Sequence, residues 1–491
     1  MASDDVVCAV DVGTSAVRAA LVAPDGRRLL QTSSRRGADE GTETFDAERL
    51  WDDLCGVLRH VTDHTARQRL RCLAVAGHVG QVLVDGEGRP VGRAGGWADS
   101  RGVREVTAAW SDPAFLRLTG RPAVTGGAVP LLHWLKDTDP SQHQRVRWAL
   151  APKDFLVLRL TGEAATDMTS AAYTLGSDVT RRAWDPGLLA AAGKGPQHFP
   201  EQHAATDVVG AVTASSARTT GLPEGLPVAA GGPDGTVGAA AVAGSVPHAV
   251  VDVAGTTDVL TRVIASPHDR PPAAVLNPYL TPGLWTCGGA TGMTGGALAY
   301  WARLLGLGDP ATAVKRLGPA LGAVPAGSDG LSMSPLLTGS RFPGWNQTER
   351  GGLWGLGEHH GTAHVLHAAQ EAAAYVVRQA VDTLLSDDAP DTPVVLAGGP
   401  SRSPELAQLR ADVLGRPVHA GSEPDASLRG AALLALVAAG LEPSLEAAQA
   451  HTEPGLRRFT PRAEIAARYE ELYRQWLAAK DCWTVSFGSS A

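Results

Sequence analysis

Two short stretches carry residue types that could hold a polyphosphate. Near the start the chain reads Val10-Asp11-Val12-Gly13-Thr14-Ser15-Ala16, and in the second half Asp252-Val253-Ala254-Gly255-Thr256-Thr257-Asp258. Each is an apolar β run, a Gly-Thr turn and then a second β run. Glycine lets the backbone come close to oxygen atoms, and consecutive N–H groups and hydroxyls at such a turn form an anion-binding concavity. A single turn of this kind is commonly no more than a turn; a pair, one in each half, can clamp a polyphosphate from two sides. Asp11 adds a hard oxygen ligand suited to Mg²⁺, through water because that ion gives up its hydration shell reluctantly. The second copy has Val253 at the matching place. The metal would then belong to the first turn, with phosphate alone at the second; an exposed aspartate at a strand end is the plain alternative for Asp11.

These residues need a scaffold on both sides. A chain of 491 residues exceeds one ordinary core and predicts two large domains, 1–244 and 249–491, joined around Gly244 to His248. Residues 6–36 read as short strands with a hairpin turn at Asp25-Gly26. Asp46 can cap a helix with Leu50, Leu54, Leu58 and Val61 on one stripe. Strands follow at Cys72–Gly77 and Gln81–Val84, and residues 102–190 read as mostly helical. In the second half the pattern predicts a helix over Ala297–Leu305 and a long one over Thr362–Ser386. A buried strand at Val394–Ala397 leads into the turn Gly398 to Ser403, where Pro404 suits a first helical turn. A last amphipathic helix spans Ala463–Lys480.

Composition removes several classes of function. A net charge of −8 argues against nucleic acid or an anionic membrane as partner. The five cysteines, Cys8, Cys55, Cys72, Cys287 and Cys482, lack metal-type spacing and suit reduced thiols in a cytoplasmic protein. The acidic start has no secretory pattern, and the apolar run Ala431–Gly440 is too short to span a bilayer.

Seven blocks in order resemble the FGGY carbohydrate kinases of the actin-like ATPase superfamily, nearest to the xylulose kinases. They are Asp11-Val12-Gly13-Thr14-Ser15; Trp97-Ala98-Asp99-Ser100-Arg101; Pro152-Lys153-Asp154-Phe155 with its continuation to Asp167; Gly231-Gly232-Pro233-Asp234-Gly235; Gly255-Thr256-Thr257; Arg341-Phe342-Pro343-Gly344-Trp345; and Leu396-Ala397-Gly398-Gly399-Pro400-Ser401-Arg402-Ser403-Pro404 with Ala411-Asp412-Val413-Leu414-Gly415. The resemblance covers nearly the whole chain. It implies two actin-like, ribonuclease H-like α/β lobes with mixed sheets flanked by helices and an ATP cleft between them. It also implies transfer of the γ-phosphoryl group of ATP to a hydroxyl of a small sugar or polyol, with D-xylulose the first acceptor. Members are often homodimers. The chain departs from the family pattern at Leu131, where a lysine is usual, at Ser340 in place of a glutamate, and in Gly77-His78-Val79-Gly80-Gln81, one residue short. These departures spare the phosphate machinery and fall on the acceptor side.

The resemblance assigns roles. Phosphoryl transfer needs positioning, charge neutralisation and a group to take the hydroxyl proton. Asp234 is the candidate base, although Gly-Pro-Asp-Gly also favours an ordinary β-turn. Asp11 would position Mg²⁺. Gly13, Thr14, Ser15, Gly255 and Thr256 would contact the phosphates, Gly398 and Gly399 would let the backbone pack against adenosine, and Gly295, Gly296 and Ser403 would also take part in binding ATP. His78, Trp97 and Asp99, with Asp234, are the sugar-side candidates, since hydroxyls and a C–H face suit a carboxylate, an imidazole and an indole. Trp97 and His78 suit a packed core equally well. Gly289-Ala290-Thr291-Gly292-Met293-Thr294-Gly295 mimics a dinucleotide turn but lacks the βαβ unit that fingerprint requires. An actin-like ATPase acting as a chaperone would carry a substrate-binding domain that the pattern does not contain, and would leave Asp234 without a purpose.

Overall fold

The computed structural model describes residues 5–37, 41–63, 69–109, 113–243, 248–346, 348–385, 392–421, 425–452 and 455–488. Among these the chain forms a mixed α/β structure around two seven-stranded sheets, one from each half, flanked by helices.

The first sheet is organised by strand Val6–Val12, which pairs antiparallel with Ala16–Val22 and parallel with Leu70–Gly77. Leu70–Gly77 in turn lies parallel to Gly232–Pro233. Asp11 sits opposite Ala76, and Ala76 opposite Gly232, so three parallel strands end in one row. Both central strands are buried almost throughout, as parallel strands covered on two faces must be. Helix Ala47–Thr62 covers one face through Leu50, Leu54, Leu58 and Val61, with Asp46 accepting from the Glu48 and Arg49 N–H groups as its N-cap. The other face is covered from the second half: Leu428, Ala431, Ala432 and Ala435 of helix Ala426–Ala438 pack on Val7, Ala9, Ala74 and Ala76.

The second sheet repeats the plan. Val250–Ala254 forms a hairpin with Asp258–Ile264 and runs parallel to Val394–Gly398. Helix Thr362–Leu384 packs on it through Val377, Ala380, Val381 and Leu384. Helix Asp234–Ala243, from the first half, reaches it through Ala239 and Val242 against Val251, Val395 and Ala397. The helices Asp234–Ala243 and Ala426–Ala438 thus lie between the sheets, and they touch closely. A Cβ on Gly430 would lie 2.2 Å from the Val237 carbonyl oxygen, and one on Gly238 3.2 Å from Ser427 Oγ.

Most expected elements are present. The helix expected from Ala297 begins at Thr294, and the last helix runs past Lys480 to Gly488. Residues 244–247 of the expected linker, and Ser386, lie outside the described residues. Among the described residues no helix is long and apolar enough to cross a membrane. Cys8, Cys55, Cys72 and Cys287 are buried free thiols.

Candidate active site

The ends of the three parallel strands form the floor of the site. Strand spacing puts the backbone of the Asp11 row and that of the Gly232–Pro233 row about 10 Å apart, with Gly77 and His78 between them. Gly231 makes the approach possible: its φ is +72°, and a Cβ there would lie 2.0 Å from the Val75 oxygen. Asp234 follows at the first position of its helix, partly exposed, with its carboxylate accepting from the Gly235 N–H at 2.6 Å. Burial, then the charge of Asp11, push the Asp234 carboxyl up to about 6, against the Gly235 hydrogen bond. Asp11 is 5 % exposed, and Arg18 on the paired strand donates Nη1 to its Oδ2 at 2.8 Å. Burial also raises the Asp11 carboxyl, and Arg18 opposes the rise. On its other side Arg18 lies 3.6 Å from Asp425 Oδ1, just before helix Ala426–Ala438. One buried carboxylate fits a cation held mostly by water and phosphate; among the described residues no group of three or more His, Cys, Asp or Glu could hold a metal outright.

Beside Asp234 opens a small cavity lined by Gly77, His78, Val79, Gly80, Gln81, Ala151, Lys153, Ser170, Tyr173 and Pro233. His78 is 4 % exposed; its Nδ1–H donates to the Val79 oxygen at 3.0 Å, and its Nε2 accepts from Arg36 Nη1 at 3.3 Å. Burial first, and the Arg36 charge, bring the imidazole down to about 4, so it is neutral at physiological pH. Lys153, 1 % exposed, pairs with Asp154 and with Asp167 (2.9 Å) and donates to the Ala230 oxygen at 2.9 Å, tying the cavity wall to the strand behind Asp234. Trp97 and Asp99 do not line this cavity. Trp97 is 42 % exposed rather than packed in a core, and Asp99 is held bidentately by Arg101, whose Nη2 lies 2.7 Å from Oδ2. Leu131 is buried among apolar neighbours, and Ser340 closes a local turn with Asn346.

Further candidates cluster at the second hairpin. Gly255 and Thr256 are exposed at its tip, and a Cβ on Gly295 would lie 2.1 Å from the Gly255 oxygen. The Gly296 N–H donates to the Thr256 oxygen at 2.9 Å. Gly398 has φ +88° and passes so close to strand Val250–Ala254 that a Cβ would lie 2.1 Å from the Ala254 oxygen. Gly399 faces open space. Ser403 is occupied as the N-cap of helix Pro404–Leu414, accepting from Leu406 N–H at 3.3 Å. In the first hairpin Gly13 and Thr14 are half-buried and Ser15 is exposed. The hydroxyls of Thr14, Ser15 and Thr256 have no hydrogen-bond partner among the described residues and so are free to meet a ligand. Beneath the second tip, Asp258 pairs with Arg410 at 2.6 Å, and the fully buried Asp252 is raised well above the usual carboxyl range by burial and by Asp258.

Sequence reasoning did not single out Arg18, Arg36, Lys153 or Tyr173 as site residues. Arg18 had a local signal, since a residue paired with Asp11 across a tight hairpin follows from the register. Arg36 and Tyr173 had none, because tertiary packing alone brings them to the cavity.

Residues 6–241 match the FGGY family of carbohydrate kinases, N-terminal domain, and residues 250–439 the C-terminal domain. The chain is 27 % identical to the xylulose kinase of Escherichia coli K12, over 95 % of this chain and 98 % of that one. It is 23 % identical to the gluconokinase of Bacillus subtilis, over 94 % and 93 %. The crystal structure of xylulose kinase from Rhodospirillum rubrum superposes with a TM-score of 0.87 at 27 % identity, covering 98 % of this chain and all of that one.

Proposed function

The chain belongs to the FGGY family of carbohydrate kinases, a sugar phosphotransferase, and from that premise we propose that it moves the γ-phosphoryl group of ATP to a primary hydroxyl of a small open-chain sugar, with D-xylulose the first acceptor to test. The observation that carries the reading is the pairing of a partly exposed, up-shifted Asp234 with a small cavity, lined in part by His78, Gln81, Lys153, Ser170 and Tyr173, at the ends of the same strands.

In this reading the acceptor lies in the cavity with its hydroxyl at Asp234. Asp234 orients the hydroxyl and collects its proton as the oxygen attacks phosphorus, a late transfer for which a carboxylate is basic enough. His78, neutral and fixed through Nδ1, presents an uncharged wall, and Gln81 offers its amide oxygen. The tips Gly13 to Ser15 and Gly255–Thr256 hold the phosphates. Asp11 would hold Mg²⁺, which would supply charge neutralisation of the phosphates. Arg18 holds Asp11 in place and balances its charge. The substituted acceptor-side positions, above all the shortened segment 77–81, also favour a kinase for another ketose, a polyol or a cyclitol.

Asp234→Asn tests the base. It should lower kcat by about three decades or more while nucleotide binding, read by calorimetry, stays near the parent's. Near-parental turnover would remove Asp234 from the role.

A further inference from the structure

Arg121 is a buried cation that the mechanism above leaves without a use. It follows helix Pro113–Thr119 and is 5 % exposed. Its guanidinium lies over the Tyr173 ring, 4.0 Å from the centroid, and Nη2 donates to Asn277 Oδ1. Nε has no partner, and no carboxylate among the described residues pairs with it. A buried charge held only by neutral groups is costly, and such a cost is tolerated where a ligand supplies the counter-charge. Lys153 at the same cavity differs in this respect, lying between two aspartates.

Arg121 does not itself line the cavity and reaches it through Tyr173. Tyr173 lines the acceptor cavity together with His78, Gln81 and Ser170. The arginine is braced from behind, since Asn277 lies on strand Val275–Pro278 of the second sheet and the Leu276 N–H donates to the Gly120 oxygen at 2.8 Å. Gln81 Oε1 is buried in the same cavity without a partner, ready for a ligand hydroxyl. An acceptor there meets a hydroxyl acceptor at Gln81, a base at Asp234, and a phenol backed by an unbalanced guanidinium.

We propose that Tyr173 and Arg121 form an anion subsite of the acceptor cavity, and that the preferred acceptors are short polyhydroxy carboxylates, bound with the carboxylate at Tyr173 and the phosphorylated hydroxyl at Asp234. This rests on the kinase reading above and changes its acceptor from a neutral ketose to a sugar acid.

The test compares acid and alcohol of equal carbon number, D-gluconate with D-glucitol and D-xylonate with xylitol, alongside D-xylulose. Both kcat/KM with Mg-ATP and binding by calorimetry are measured on the full chain. The acid should be favoured by about thirtyfold or more, the size expected of a desolvated charge pair. Arg121→Gln should bring the acid-to-alcohol ratio close to one, Arg121→Lys should restore part of it, and Tyr173→Phe should lower it partway. Alcohols handled as well as acids by the parent, or an Arg121→Gln loss equal for both, would overturn the subsite. Brisk turnover of D-xylulose with acids ignored would overturn it too, and leave the kinase reading standing. Arg121-dependent acid binding with no phosphoryl transfer to any compound would do the reverse.

Discussion

Asp234 and His78 stand at neighbouring strand ends, and their surroundings move them in opposite directions. Burial and Asp11 raise the carboxyl to about 6, while burial and Arg36 lower the imidazole to about 4. Both shifts disfavour the charged form, which is the mark of desolvation. The consequence for activity has a definite sign. The proposed base must be ionised to take a proton, so kcat/KM should be flat near pH 7 to 8 and fall with decreasing pH through about 6, one proton per site. His78 stays neutral down to about pH 4 and should add no second limb above pH 5. A steady-state pH profile at saturating Mg-ATP checks this; an acid limb centred near pH 4 would mean that Asp234 is solvated like an ordinary aspartate, or that another group takes the proton.

In the proposed mechanism the two hairpins and the two central helices have separable parts. Thr256, at a free tip braced by Gly295 and Gly296, should serve the nucleotide alone. Thr256→Val should raise the apparent KM for ATP by about tenfold, the loss of one hydrogen bond to a charged ligand, with the acceptor KM little changed. An unchanged nucleotide dependence would count against the phosphate clamp. The helix pair should be far less tolerant. Gly430→Ala forces a methyl against the Val237 oxygen and should cost about 1–3 kcal/mol in denaturant unfolding. Gly56→Ala, in exposed helix interior with nothing within 4 Å, should gain about 0.5–1 kcal/mol. Local pattern made the hairpins, the Asp46 cap and the long helix Thr362–Leu384 legible in the sequence. It could not say that helix Ala426–Ala438 covers the first sheet, because its apolar stripe specifies a partner surface and not which surface. Arg121 and Arg36 were illegible for the same reason: their meaning lies in Tyr173 and His78, which only tertiary structure brings to them.

At the scale of the molecule the two actin-like lobes meet at Asp234. This residue ends the first sheet's contribution, begins the helix that packs on the second, and carries the carbonyl that Ser427 Oγ reaches at 3.1 Å. Motion of one lobe against the other would therefore act on Asp234 directly, and closure around both substrates would exclude water from the phosphoryl group. Little ADP should form without an acceptor. The direct measurement is ADP release from Mg-ATP by the purified full chain, with and without a panel of ketoses, polyols, cyclitols and sugar acids, for the parent and Asp234→Asn. The account predicts release that rises with one class of small polyhydroxy acceptor and disappears in Asp234→Asn; release that ignores every acceptor and survives the substitution would contradict it.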